Sequence, residues 1–156
     1  MTVQQIRIDM NQQILNDLVD RLEEDAFNYS VFLKYYDVSL PASVGRDIII
    51  KAALGSSAKL GGIQKAEKAS VWPTLKSNLM YWDKYGGPAA ASIQSDRFLA
   101  LLENLENEVR HLVEAADTIE AFWLETGHPA YPVFRDFAYL FQSDASAGIL
   151  VGSSSD

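Results

Sequence analysis

Apolar residues near the start of the chain recur at helical steps. Leu15, Leu18, Leu22, Ala26, Tyr29, Leu33 and Tyr36 follow one another three or four residues apart, the period of one face of an α-helix. Asp9-x-x-Gln12 reads as a capping box, with Thr2-x-x-Gln5 a second start signal a turn or two earlier. Pro41 closes the pattern, so the spacing predicts an amphipathic helix over about 9–38. A second and longer pattern runs from Asp96 to Thr126. There Phe98, Leu102, Leu105, Val109, Leu112, Ala116, Ile119 and Trp123 alternate in steps of four and three. That is a heptad seam, the signature of a helix packed at a shallow angle on a partner helix, and Gly127 and Pro129 supply its stop.

The stretches between and after these two are less regular. "SVGRDIIIKAAL" opens a helix with Ser43 as its cap, although "DIII" alone also suits a buried strand. Gly55, Gly61 and Gly62 in "GSSAKLGGIQKAEKAS" each cost about 1 kcal/mol inside a helix, so a helix here is broken or loosened near Gly61-Gly62. Pro73 suits the first turn of a further helix with Trp72, Leu75, Leu79 and Trp82 on one face. "YPVFRDFAYLF" reads as one more, with Val133, Phe134, Phe137, Leu140 and Phe141 on its apolar side. The expected architecture is therefore all-α: an up-down helical bundle of four to five helices, the 9–38 and 96–126 helices being its long members. Residues 1–141 form one bundle domain, and 142–156, rich in Gly and Ser, form a flexible C-terminal tail.

Composition narrows the class more than the function. At 48% hydrophobic and 22% charged residues over 156 positions, the chain has the make-up of an ordinary folded domain. No apolar run approaches the ~18 residues that span a bilayer. "MTVQQIRIDMNQQ" lacks the basic start and apolar core of a signal peptide. The absence of cysteine removes disulfides, thiolate chemistry and Cys-based zinc sites. A cytoplasmic protein is the plain expectation.

Charge is unevenly spread. Val44 to Tyr85 holds seven basic and three acidic residues, a net +4, against −12 for the rest of a chain whose total is −8. Segregation of this kind helps two parts of a domain, or two subunits, meet in register. Together with the heptad seam it predicts a homodimer, with room for another protein partner. Nucleic acid is not expected, because the acidic remainder repels phosphates, and no membrane partner is expected either.

Candidate chemistry is sparse. Glu108 and His111 have the Glu-x-x-His spacing used in carboxylate-bridged metal pairs. At 100° per residue, however, His111 points about 125° from the seam, with Asn104 and Asn107, and Glu108 about 65° from it. The ferritin-like arrangement needs this motif on two helices and a lone Glu on each of two others. The second match, Glu125-x-x-His128, falls where the same helix ends, so that arrangement is disfavoured. No metal, catalytic residue or cofactor is assigned. Asp25 lies about 40° from the seam of the first helix, close to the line of Leu18, Leu22 and Tyr29. Asp25 and Glu108 thus lean inward from different helices and, with Tyr29, are candidate ligand-binding residues; pairing of Asp25 with a tyrosine hydroxyl or an arginine is the structural alternative. "GSSAKLGG" lacks the Gly-Lys-Ser/Thr ending of a phosphate-binding loop, and no Gly-x-Ser-x-Gly elbow occurs. The aromatic group Tyr35, Tyr36, Trp72, Tyr81, Trp82, Tyr85, Trp123 and Tyr131 closes the ends of a core, walls a pocket or anchors a partner. The sequence thus suggests a non-catalytic interaction or regulatory protein working as a homo-oligomer. The alternative is a small-molecule-binding protein or enzyme with a pocket inside the bundle.

Overall fold

A computed structural model describes residues 10–38, 44–80, 86–125, 135–143 and 146–155, with the side chains of Arg135 and Ser155 outside that description. The chain forms α1 (Gln12–Glu23), β1 (Ser30–Val38), α2 (Arg46–Leu54), β2 (Leu60–Lys65) and α3 (Lys68–Leu79). It continues through α4 (Ala90–Ile93), α5 (Asp96–Ala115), β3 (Thr118–Leu124), β4 (Arg135–Gln142) and β5 (Ala147–Ser155). The strands make one antiparallel sheet in the order β1-β5-β4-β3-β2. This is an α+β fold, and the all-α bundle that the periodicity predicts is wrong.

Each departure from the expected bundle has a local cause. The first helix begins at an Asn11 cap, whose side-chain oxygen accepts from the Gln13 N–H at 2.9 Å; Thr2 and Asp9 lie outside the described residues. It ends at Glu23 rather than near residue 38. Asp25 and Asn28 take left-handed backbone conformations, φ 53° and 46°, which side chains of their type tolerate best. They turn the chain into "SVFLKYYDV", whose β-branched and aromatic residues favour a strand. Tyr29 and Leu33 continued the helical spacing by coincidence, because residues four apart also share a face in a strand. In β1, Leu33 and Tyr35 face one side of the sheet, and Val38 faces the other.

The heptad helix shows the same confusion. Its seam is real as far as Ala115: Phe98, Leu105, Val109 and Leu112 are buried along α5. Ala116 then leaves the helix, and Ile119 and Trp123, although in heptad step, belong to β3. Within "YPVFRDFAYLF" the expected helix is replaced by β4, with Phe137, Tyr139 and Phe141 on one face and Leu140 on the other; Val133 and Phe134 are outside the described residues. The helix expected to loosen at Gly61-Gly62 ends earlier, at a Gly55 cap with φ 108°, and the glycine pair lies in β2. Ser43, its expected cap, is outside the described residues.

The largest correction concerns the expected tail. Residues Ala147–Ser155 form β5, paired with β1 on one side and β4 on the other. Leu150 enters the apolar cluster on the first face, and Ile149 and Val151 enter the cluster on the second. The glycines that read as looseness are there for packing. A Cβ on Gly148 would sit 2.0 Å from the Tyr35 hydroxyl oxygen, and one on Gly152 would sit 2.2 Å from Phe137 Cζ. Ser154 is fully buried, its hydroxyl donating to the Asn78 carbonyl of α3 at 2.5 Å.

Two unequal layers cover the sheet. On the first face, α1, α3 and α5 supply Leu15, Leu18, Leu22, Val71, Leu75, Leu79 and the α5 seam to the larger cluster. On the second face, α2 contributes Ile49 and Ile50 over Val38, Ile149 and Val151. Among the described residues no helix is long and apolar enough to cross a membrane.

The packing at Gly152 makes a direct prediction. Gly152→Ala is expected to lower stability by about 1–3 kcal/mol, the usual cost of overfilling a packed site. Urea unfolding should show a lower midpoint at unchanged slope. An unaltered midpoint would mean that the Phe137 ring is free to move aside.

Candidate functional site

The residues singled out from sequence are not gathered by the fold. Asp25 is exposed in the turn after α1, so the helical projection that leaned it inward does not apply. The C-terminal end of α1 shares a surface depression with Arg97 at the start of α5. Glu108 stands about 16 Å further along α5, at 1.5 Å per residue, where it is half-buried. The two carboxylates therefore do not meet. Tyr29 is buried and its hydroxyl donates to the Leu79 carbonyl at the end of α3, a bond that joins the start of β1 to the helix layer. His111 is exposed on α5, and His128 lies outside the described residues. Among the described residues no group of three or more His, Asp or Glu side chains could hold a metal ion.

The surface features that the fold does assemble lie around β2. Its backbone bulges between Leu60 and Gly62, opposite Trp123 and Leu124 of β3. Glycine at 61 and 62 lets the Trp123 indole lie against the β2 backbone: a Cβ on Gly62 would sit 2.0 Å from Trp123 Cζ2, and one on Gly61 2.9 Å from Cδ1. The ring nevertheless leaves Trp123 53% exposed. A large aromatic ring is thus seated on backbone while much of its surface remains in water.

Beside it runs a groove of about 550 Å³ between the β2-β3-β4 end of the sheet and α3. Phe137 and Tyr139 line it from β4, and Ser70 and Thr74 come from α3 at adjacent turns. Gln64, Lys65 and Glu67 line it along β2 and the connection to α3. α3 packs on β4, β5 and α5, which is why the β2 end of this face stays open. Asp136, also lining the groove, has its carboxyl pKa raised by loss of hydration, partly offset by a hydrogen bond from its own backbone.

A second depression, about 540 Å³, lies beside the same connection. Its walls include Lys65, Lys68, Asp117 and an ion pair between Arg46 Nε and Glu120 Oε1 at 2.5 Å. The hydrogen bond and negative charge of Glu120 raise the Arg46 guanidinium pKa above its ordinary value. Here a base from the +4 segment meets an acid from the remainder. The charge division therefore joins parts of one chain at this point.

The two edges of the sheet are treated differently. At β1, the Gln12 side chain acts as a strand would: its Oε1 accepts from the Tyr35 N–H at 2.9 Å, and its Nε2 donates to the Leu33 carbonyl at 3.4 Å. Glu23 Oε2 accepts from the Val31 N–H at 3.4 Å. Helix α1 thereby occupies backbone groups that would otherwise invite another strand. At β2, the Ala66 N–H donates to the Ile119 carbonyl at 2.9 Å. By the antiparallel alternation, Gln64 faces β3 as Ala66 does, while Ile63 and Lys65 direct their N–H and C=O groups away from the sheet.

The sequence pattern places Trp123 at the end of the heptad seam and among eight aromatics, and gives Gln12 and Gln64 no role at the sheet edges. The signal for β2 was present as a Gly-Gly pair followed by the alternation Ile63, Gln64, Lys65. Its meaning depends on Trp123, 61 residues beyond Gly62 in sequence. No protein-family model, curated protein or solved structure matches this chain.

Asp136 supplies a pH prediction. A carboxyl whose folded pKa is raised favours the folded state most when protonated, and that contribution is lost as pH rises through the folded pKa. Asp136→Asn should therefore gain stability relative to the native chain between acid and neutral pH. Thermal melts across that range test this, and a difference independent of pH would rule out the desolvated carboxyl.

Proposed function

We propose that the chain is a non-catalytic interaction protein, acting as a homodimer in the cytoplasm, and that it captures a protein partner at the Trp123 groove. The observation that carries this reading is the seating of Trp123 on Gly61-Gly62 with about half its surface open to solvent. Aromatic side chains that become buried on binding supply a disproportionate share of binding energy in protein interfaces. The groove walls provide what such an anchor needs around it: apolar surface from the partly exposed Ala66 and Ala121 over the buried rings of Phe137 and Tyr139, and hydrogen-bonding groups from Gln64, Ser70 and Thr74. A partner segment would place an aromatic or long aliphatic side chain against the indole. The absence of cysteine accords with a reducing compartment.

A second reading is small-molecule binding in the same groove. Its volume of about 550 Å³ favours this, being within the ~300–1,000 Å³ range of such sites.

Selection of linear peptides from a displayed random library distinguishes the two readings. The expected result is enrichment of peptides carrying an aromatic or long aliphatic residue. Trp123→Ala should weaken their binding by about tenfold or more, while thermal stability stays near that of the native chain. Equal binding by Trp123→Ala would remove the groove from the function, and failure to enrich any peptide would favour the small-molecule reading.

A further inference from the structure

We infer that the open edge of β2 is a self-pairing surface, which a second copy of this chain extends by antiparallel addition of its own β2. The inference rests on the homodimer reading above and specifies its interface. Ile63 and Lys65 direct N–H and C=O groups outward, as the bond from Ala66 to Ile119 fixes. The register that satisfies both strands pairs Ile63 with Lys65 of the second copy, and Lys65 with its Ile63. Gln64 then meets Gln64 of the second copy across a two-fold axis, on the face that carries Trp123. The sheet becomes continuous through both molecules.

Charge and layering favour a second copy as the occupant. Lys65 stands opposite Glu120 on β3, and the Lys59 carbonyl accepts from the Glu125 N–H, which places those residues side by side. Lys68 follows Glu67 directly. The surface around Lys65 carries three bases, Arg46, Lys65 and Lys68, and three acids, Glu67, Asp117 and Glu120, so this edge has no net charge to repel a second copy. On the first face α3 packs on β4 and β5, and on the second α2 packs on β1 and β5. The described helix layers thus lie over the sheet, α2 reaching β2 through Leu60 and Ile63 on the second face, while the outward groups of Ile63 and Lys65 point along the sheet plane away from β3. The Gln12 and Glu23 contacts close β1, so pairing uses one edge per molecule. Contact through one self-complementary edge closes as a dimer, whereas pairing through both edges would grow into a fibre.

The chain has no native cysteine, so a single introduced thiol reports on this register alone. Facing residues in a non-hydrogen-bonded antiparallel pair have Cα atoms about 4.5 Å apart, within the span that a disulfide bridges. Gln64→Cys should therefore form a covalent dimer on mild oxidation. Asn104→Cys, on the exposed side of α5, should not. Lys65→Pro removes an outward N–H and leaves the β2–β3 bonds in place. Its dimer dissociation constant in analytical ultracentrifugation should rise at least about tenfold with far-UV circular dichroism unchanged.

A native chain that sediments as a monomer at about 100 µM overturns both this interface and the homodimer reading. A native dimer in which Gln64→Cys remains a free thiol overturns the β2 interface and leaves the homodimer reading standing. Pairing of β2 with a foreign strand would show as that same monomer, so it too counts against the inference.

Discussion

The placement of β5 between β1 and β4 is the constraint on which the rest of the structure depends. This strand joins the beginning of the sheet to its end, because β1 has no other strand neighbour among the described residues. It also serves both cores at once, sending Leu150 into the first-face cluster and Ile149 and Val151 into the second. The position demands small residues where Tyr35 and Phe137 cross it, and Gly148 and Gly152 meet that demand. Ser154 is admitted to the interior because the Asn78 carbonyl of α3 accepts a hydrogen bond from its hydroxyl. The pairing of β1 with β5 brings together residues more than a hundred positions apart. Contacts of that range carry a large chain-closure cost and slow folding. Among the described residues, β1 thus finds its strand partner in β5, at the far end of the element order.

With β5 inside, β1 and β2 become the edges, and their different treatment follows from what packs beside each. Helix α1 lies along β1 and reaches it with Gln12, whose carboxamide has the same donor and acceptor as a peptide unit and can replace one. No comparable side chain covers β2 among the described residues. There the chain places a bulge, two glycines and an indole, which together shape the groove and leave the outward backbone groups of Ile63 and Lys65 unpaired in the ladder. The site and the edge are consequences of one local arrangement.

The sequence was legible where a pattern had one structural meaning, and misleading where it had two. The α5 seam read correctly through Leu112, since Phe98, Leu105, Val109 and Leu112 are the residues that α5 buries. The same steps then ran on into Ile119 and Trp123, because a spacing of four keeps residues on one side of both a helix and a strand. Tyr29 and Leu33 misled for that reason, and the short alternating runs of β1 and β4 were absorbed into helical patterns beside them. The glycines of β5 carried the opposite signal from their role: composition counted them as looseness, while the structure uses them to admit two aromatic rings. Asp25 illustrates how such an error propagates. Its inward lean requires a helix that in fact ends two residues before it, so its pairing with Glu108 falls with that helix. Trp123 could not be distinguished from the other aromatics, because what sets it apart is the glycine pair on the neighbouring strand.

The proximity of indole and edge has a further physical consequence. Trp123 rests on the backbone of Gly61 and Gly62 with no side chain between, so the mobility of β2 is passed directly to the ring. A lone edge strand of six residues, bulged and containing two glycines, has more conformational freedom than the interior strands. A second strand paired along it would restrict that freedom, and with it the range of positions open to the indole. A segment binding in the groove would then have less disorder to remove, which raises its affinity without adding a contact. By reciprocity, a segment bound against Trp123 would strengthen the strand pairing to the same degree. On the proposed interface, partner capture and dimer formation are therefore coupled through the glycine pair, with β2 as the element that both events order.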